Sequence, residues 1–202
     1  TPGLLLPGKN EQWHFTGYLF PRASLDDIPS PFLSGVLDTH LKGVLWLETV
    51  RGCVYRCAYC YYHKQSPGLR TFPIERLLKE VKHAWDCGLQ EIVFLDPCFS
   101  KRPHLEDLLD GVGSINHDRR LRLHGECNVE GIDSHVAEKM ARAGFSQLEV
   151  GLQSVKRNTL RNIHRAFHPQ RFLQGVRSLR NAGIEVMVDL IAGLPGDQLS
   201  DI

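Results

Sequence analysis

One junction recurs three times in this chain: Cys87-Gly-Leu-Gln90, Ala143-Gly-Phe-Ser146 and Ala182-Gly-Ile-Glu185. Each time a run with helical spacing stops at a glycine and a β-rich run begins at once, as at a helix C-terminus that turns tightly into a strand. The first helix is expected from about Pro73 to Cys87, with Ile74, Leu77, Leu78, Val81 and Ala84 as its buried stripe. A second is expected near Leu105 to Val112. A third runs from Asp133, a good N-cap, to Gly144, and a fourth from Pro169 to Ala182. Strands are expected at about 44–50, 91–96, 121–126, 147–152 and 184–191. Strands alternating with helices imply a parallel sheet with right-handed crossovers. A complete eight-fold barrel needs ~250 residues, so the 202 residues here fit an α/β fold of the partial-barrel kind, open on one side.

A parallel strand covered on both faces should be nearly all apolar. Two of these strands are not. Leu121 and Leu123 alternate with Arg122, His124 and Glu126, and Leu148, Val150 and Leu152 alternate with Gln147, Glu149 and Gly151, continuing to Gln153. Successive side chains point to opposite faces, so one face packs on helices and the other presents polar groups to an interior. Those groups either satisfy each other and water or serve a polar ligand. Binding groups in parallel α/β folds sit at the carboxyl ends of strands. Asp96, Glu126, Gln153 and Asp189 all fall at or near such ends.

The first strand leads into Arg51-Gly-Cys-Val-Tyr-Arg-Cys-Ala-Tyr-Cys-Tyr61, which sets Cys53, Cys57 and Cys60 in a Cys-x3-Cys-x2-Cys pattern. Three soft thiolates on one short loop suit three irons of a cubane cluster, with the fourth iron open, or they suit zinc. Zinc takes four ligands, and His63 would complete a Cys3His site. A bacterial ferredoxin pattern needs a fourth nearby cysteine, and Cys87 is too far along the chain. Cys87, Cys98 and Cys127 are expected as small buried or half-buried residues.

The cysteine loop resembles that of the radical S-adenosylmethionine (SAM) enzymes, in which an aromatic residue commonly precedes the last cysteine; Tyr59 fills that place. The resemblance implies a 4Fe–4S cluster on Cys53, Cys57 and Cys60, SAM bound at the open iron, and reductive cleavage of SAM to a 5′-deoxyadenosyl radical. It also implies a (β/α)6-type core, of which this chain ends as the fifth helix begins, truncated at the C-terminus. Gly151-Leu-Gln-Ser154 followed by Asn162-Ile-His-Arg165 resembles a signature of the branch that includes oxygen-independent coproporphyrinogen oxidase. Asp189-Leu-Ile-Ala-Gly-Leu-Pro195 resembles a further motif of that branch. Carried over, these make Gln153, Arg165, Glu126 and Asp189 contacts of SAM, with Arg165 matched to its carboxylate. Where many family members carry Gly-Gly-Glu, this chain has Leu95-Asp-Pro-Cys-Phe99. That form, with the lead-in Ile28-Pro-Ser-Pro-Phe-Leu-Ser-Gly-Val-Leu37, resembles the cobalamin-dependent type. The cobalamin motif itself is absent, so cobalamin is an expectation about a longer parent protein.

Residues 1–41 are punctuated by prolines and have no sustained period, so they are expected to be an extended lead-in or linker ahead of a core over 42–202. Because the chain starts at Thr1 and stops in Leu199-Ser-Asp-Ile202, as a helix would begin, it is expected to be a fragment. Lys and Arg number 24 against 23 Asp and Glu, a net charge of +1, which argues against a dominant nucleic-acid partner. A nucleic-acid partner would draw on Arg157, Arg161, Arg165, Arg171, Arg177 and Arg180, which are expected on a solvated helix face without aromatic residues to stack bases. No apolar run nears the ~20 residues that span a membrane, and the clustered cysteines suit a reducing cytoplasm. The expected partners are a small-molecule substrate and an external electron donor such as flavodoxin or ferredoxin.

Overall fold

The computed structural model describes residues 3–8, 12–17, 24–37, 43–65 and 68–198. Strands β1 (Leu5–Pro7), β2 (Trp13–Phe15), β3 (Val44–Leu47) and β4 (Val50–Arg51) come first, then helix α1 (Tyr62–Gln65), β5 (Arg70–Thr71), α2 (Ile74–Asp86) and β6 (Glu91–Phe94). A 3₁₀ turn (Phe99–Lys101) leads to α3 (Leu105–Ile115), β7 (Arg122–Cys127), α4 (Ser134–Ala143) and β8 (Phe145–Gln153). Helices α5 (Arg157–Asn162) and α6 (Pro169–Asn181) and strand β9 (Glu185–Leu190) complete the series. The sheet runs β3-β6-β7-β8-β9, and every neighbouring pair is parallel. Strand order follows chain order, so the sheet curls steadily in one direction without closing. This is the open partial barrel that the alternating pattern predicts.

The junctions explain why. Asp133 caps α4 by accepting a hydrogen bond from Val136 N at 2.9 Å. Gly144 ends it at φ 110°, a conformation costly for any residue with a Cβ. A buried Asn116 clamps this corner: its amide donates to the carbonyls of Leu121 (2.8 Å) and Ala143 (2.9 Å) and accepts from Leu121 N (3.0 Å). The end of α3, the start of β7 and the end of α4 are thus tied by one side chain. The core lies between sheet and helices, with Leu77, Val81 and Ala84 of α2 packed with Ile92, Leu123, Leu148 and Val150. Phe94, Phe99 and Phe145 form an aromatic trio with centroids 4.6 to 5.5 Å apart. Helix α6 approaches so closely that a Cβ at Gly175 would stand 2.1 Å from the carbonyl oxygen of Val129.

Several expectations change. The first strand ends at Leu47 and not at residue 50, because the chain bends there and Val50–Arg51 pairs antiparallel with Arg70–Thr71. That short ribbon closes the base of the cysteine loop. Helix α5 was not foreseen; the basic stretch that holds it carries no clear apolar stripe. Within the lead-in, β1 and β2 form a small antiparallel pair with Leu5 opposite Phe15. Residues 24–37 lie on the domain: Leu25 is buried in the core, and Arg76 donates to the carbonyl of Ile28. The helix expected to begin at Leu199 lies outside the described residues.

Candidate active site

Cys53, Cys57 and Cys60 line one cleft together with the carboxyl ends of β7, β8 and β9. Cys57 is buried and the other two are half-buried. The loop has almost no regular structure, so its shape depends on a few bonds. Cys60 N donates to Cys57 O (3.1 Å), and Ala58 N donates to Ile163 O (2.9 Å), which fastens the loop to the end of α5. Burial, then the neighbouring thiols of Cys98, Cys60 and Cys57, push the Cys53 thiol up. Such crowding of thiols favours a cation among them, which would hold them as thiolates. Among the described residues, no three His, Cys, Asp or Glu side chains converge to hold a single metal ion. His63 lies outside the lining of the cleft. One zinc ion needs four ligands at about 2.0–2.3 Å, whereas a cluster takes each thiolate on its own iron. The donor set fits the cluster better.

Opposite the cysteines stands a wall of carboxylates, one from each of three adjacent strands: Glu126 on β7, Glu149 on β8 and Asp189 on β9. The sheet register makes this placement. Glu126 stands beside Glu149, and Asp189 pairs with Gly151, two residues further along β8 on the same face. The hydrogen bond with Asp189, burial, and the charges of Asp189 and Glu126 push Glu149 up to about 7. Burial and then Asp189 push Glu126 up. Three acids so close repel one another, and a cationic group between them relieves that repulsion. The sequence marks Glu149 as a polar-face residue, but it sits in mid-strand and not at the rim where parallel α/β folds keep their binding groups.

The end of β8 is distorted where it meets this wall. Its register with β9 shifts between Gly151 and Gln153, and Gln153 takes φ 70°, which is unfavourable for a residue with a side chain. Its Oε1 is buried with no partner among the described residues. A buried orphan acceptor costs about 1–3 kcal/mol, and a ligand donor in the cleft would remove that cost. Gly151 leaves room for this side chain, since a Cβ there would lie 2.3 Å from Gln153 Nε2. Arg165 bridges the cleft. Its Nη2 is anchored on the carbonyl of Gly151, while Nη1 makes only long contacts, 3.6 Å to Cys57 Sγ and 3.4 Å to Tyr59 Oη. Nη1 is therefore the exchangeable end, suited to a carboxylate. Burial pushes Tyr59 up to about 12 even against Arg165.

Asp96 corrects the expectation. It sits at the end of its strand but is fully buried, and its carboxylate is spent inside the protein. Oδ1 accepts from Thr49 N (2.7 Å) and Val50 N (3.1 Å), and Oδ2 accepts from Thr49 Oγ1. Asp96 holds the approach to the cysteine loop and does not line the cleft. Cys98 and Cys127, expected only as buried residues, do line it, as do Tyr55 and Tyr62. Cys87 does not, and neither does His124.

Residues 47–202 match the radical SAM superfamily. The tRNA-2-methylthio-N(6)-dimethylallyladenosine synthase of Thermus thermophilus is 27% identical over 94% of this chain and 40% of its own length. The ribosomal protein uS12 methylthiotransferase RimO of Flavobacterium johnsoniae is 24% identical over 87% of this chain and 42% of its own. The chain thus spans about two fifths of these relatives. Among solved structures, the radical SAM methyltransferase TsrM from Kitasatospora setae, with cobalamin and a 4Fe–4S cluster bound, superposes with a TM-score of 0.71 at 22% identity. That match covers 78% of this chain and 32% of TsrM.

Proposed function

The chain belongs to the radical SAM superfamily, and from that premise we propose that residues 42–202 are the cluster- and SAM-binding core of a methyl-transferring enzyme, with residues 1–41 as its lead-in. The observation that carries this is the convergence of three thiols, three carboxylates, an exchangeable guanidinium and an orphan amide on one cleft. SAM carries two cationic groups and one anionic group: an α-ammonium, a sulfonium and a carboxylate. Glu126, Glu149 and Asp189 match the cations, and Arg165 Nη1 matches the carboxylate. Gln153 Oε1 would accept from a ligand amine. Cys53, Cys57 and Cys60 would hold a 4Fe–4S cluster, which when bound supplies the electron that cleaves the carbon–sulfur bond of SAM. Tyr59 holds the outer edge of Arg165 and narrows the route for water. An external one-electron donor such as flavodoxin or ferredoxin, and a small-molecule substrate, complete the reaction.

Cobalamin-assisted methyl transfer in the parent protein is the reaction we infer. It is supported by the Leu95-Asp-Pro-Cys-Phe99 form of the second strand end and by the likeness in fold to TsrM. A cytoplasmic setting belongs to the same reading, since free clustered thiols suit a reducing compartment; among the described residues no helix is long and apolar enough to cross a membrane.

Anaerobic iron–sulfur reconstitution tests the core of this reading. The reduced protein should give the electron paramagnetic resonance signal of a 4Fe–4S cluster, and SAM should change it. Cys53→Ala, Cys57→Ala and Cys60→Ala should each abolish iron uptake, and Cys87→Ala should not. Stoichiometric zinc without iron uptake would replace the reading with a structural metal site.

A further inference from the structure

Beside the cleft, and sharing Arg165 with it, lies a second hollow of about 910 Å³ between α5 and α6, inside the ~300–1,000 Å³ range of small-molecule sites. Its charge is one-sided. Arg157, Arg161 and Arg171 line it with Arg165, and no Asp or Glu does. The three outer arginines are exposed, and none has a hydrogen-bond or ion-pair partner among the described residues. The carboxylate of Glu130 nearby is taken up by His168, through its N (3.0 Å) and Nδ1 (2.9 Å).

A second observation points the same way. The hollow is also lined by His168, Pro169, Gln170 and Arg171, the first turn of the 13-residue α6. That turn contains no acidic residue of its own, and the carboxylate at its start, Glu130, is held on His168. The N–H groups of a first helical turn lack intrahelical acceptors and carry the positive end of the helix dipole. His168 N is taken by Glu130 and Pro169 has no N–H, so this turn offers the N–H groups of Gln170 and Arg171; with the guanidinium forks that line the same space they suit an anion, and a phosphate brings more acceptor oxygens to them than a carboxylate does.

We propose that this hollow binds the phosphate or diphosphate group of a small-molecule substrate and holds the rest of that substrate toward the cleft. A nucleic-acid strand fits less well. Of the two rings that line the hollow, Phe167 is committed edge-on to Phe172 with centroids 5.6 Å apart, and the His168 imidazole is held by Glu130 at 2.9 Å, so the hollow has no row of free rings on which successive bases would stack. The proposal rests on the reading above for the reaction it serves, but anion binding itself needs neither cluster nor SAM.

Calorimetric titration of the full chain with inorganic pyrophosphate tests it. Saturable binding is expected, weakened about a hundredfold in the Arg161→Ala/Arg171→Ala double variant, where each lost charge-assisted contact is worth roughly one decade. Arg177→Ala, outside the hollow on the same helix, should bind as the unaltered chain does. Binding should also persist in Cys53→Ala, which separates this proposal from the cluster reading. Absence of saturable binding, or equal binding by the double variant, overturns it. Tighter binding of a single-stranded RNA oligonucleotide than of pyrophosphate, lost in the same double variant, would overturn the small-molecule assignment.

Discussion

The ends of β6 and β9 each carry an aspartate, and the fold uses the two in opposite ways. Asp96, two residues beyond β6, is fully buried and fully bonded, three donors meeting its two oxygens. Asp189, near the end of β9, lies in the cleft beside Glu149 and Glu126. Both occupy the rim where parallel α/β folds keep their ligands. The difference shows that strand position locates the rim, while the direction in which the chain leaves the strand decides what a rim residue faces. After β3 the chain folds back into the β4–β5 ribbon, and Asp96 ties down that fold-back. No such segment covers β9 among the described residues.

The largest effect should come from breaking the buried member. Asp96→Ala would leave Thr49 N, Val50 N and Thr49 Oγ1 without a partner, and should cost about 3 kcal/mol or more in urea unfolding. Asp189→Ala removes like-charge crowding and should change stability by less than about 0.5 kcal/mol. If Asp96→Ala unfolded normally and lost only SAM affinity, the contrast between the two ends would be wrong.

This contrast also marks where the sequence stopped being legible. The repeated glycine junctions give α2, α4 and α6 to within a few residues and the parallel character of the sheet, because glycine closure and apolar period are local properties. The cysteine loop, Gln153, Arg165 and Asp189 stand out in the sequence by their spacing, and the fold brings them to one cleft. Asp96 misled because its partners, Thr49 and Val50, are 46 to 47 residues away, and nothing local announces a pairing of that range. Glu149 is not legible as a cleft residue for the converse reason. Its importance arises from Glu126 and Asp189 on the flanking strands, and register between strands is set by the whole sheet.

Two substitutions probe the open end with smaller effects. Arg165→Lys keeps the charge but cannot grip the Gly151 carbonyl and offer a second nitrogen together. SAM affinity in the reconstituted protein should fall about tenfold with stability nearly intact, roughly the value of one charge-assisted bond. An unchanged affinity would mean that Arg165 only braces the loop. Gly151→Ala would press on the flexible end of Gln153 and not on backbone, so its stability cost should stay near about 1 kcal/mol. Its SAM affinity should fall by a few-fold, because Gln153 is pushed from the cleft. Loss of stability without loss of affinity would separate Gln153 from the ligand.

The smallest effect is the most direct measure of crowding at the open end. Glu149 is raised to about 7, chiefly by Asp189 and by burial. A carboxylic acid raised on folding is held protonated more tightly by the native state, so its ionisation opposes folding. The sign is therefore opposite to that of a salt-bridged acid. The penalty is absent below about pH 4.5, the ordinary value, grows as pH rises, and is complete above about pH 7. Glu149→Gln carries no such penalty. Melting curves of the two proteins should coincide near pH 4.5 and separate by about 1–3 °C at pH 8, the variant melting higher; the gap is small because the side chain is partly solvated. A ligand that brings positive charge to the wall should reverse the preference, ionising Glu149 and releasing a proton. SAM binding near pH 6.5 should then show a calorimetric enthalpy that depends on the buffer in the unaltered protein and much less in the variant. Parallel melting curves at every pH would mean that the three carboxylates do not crowd one another, and that the open end of the sheet is as settled as the closed one.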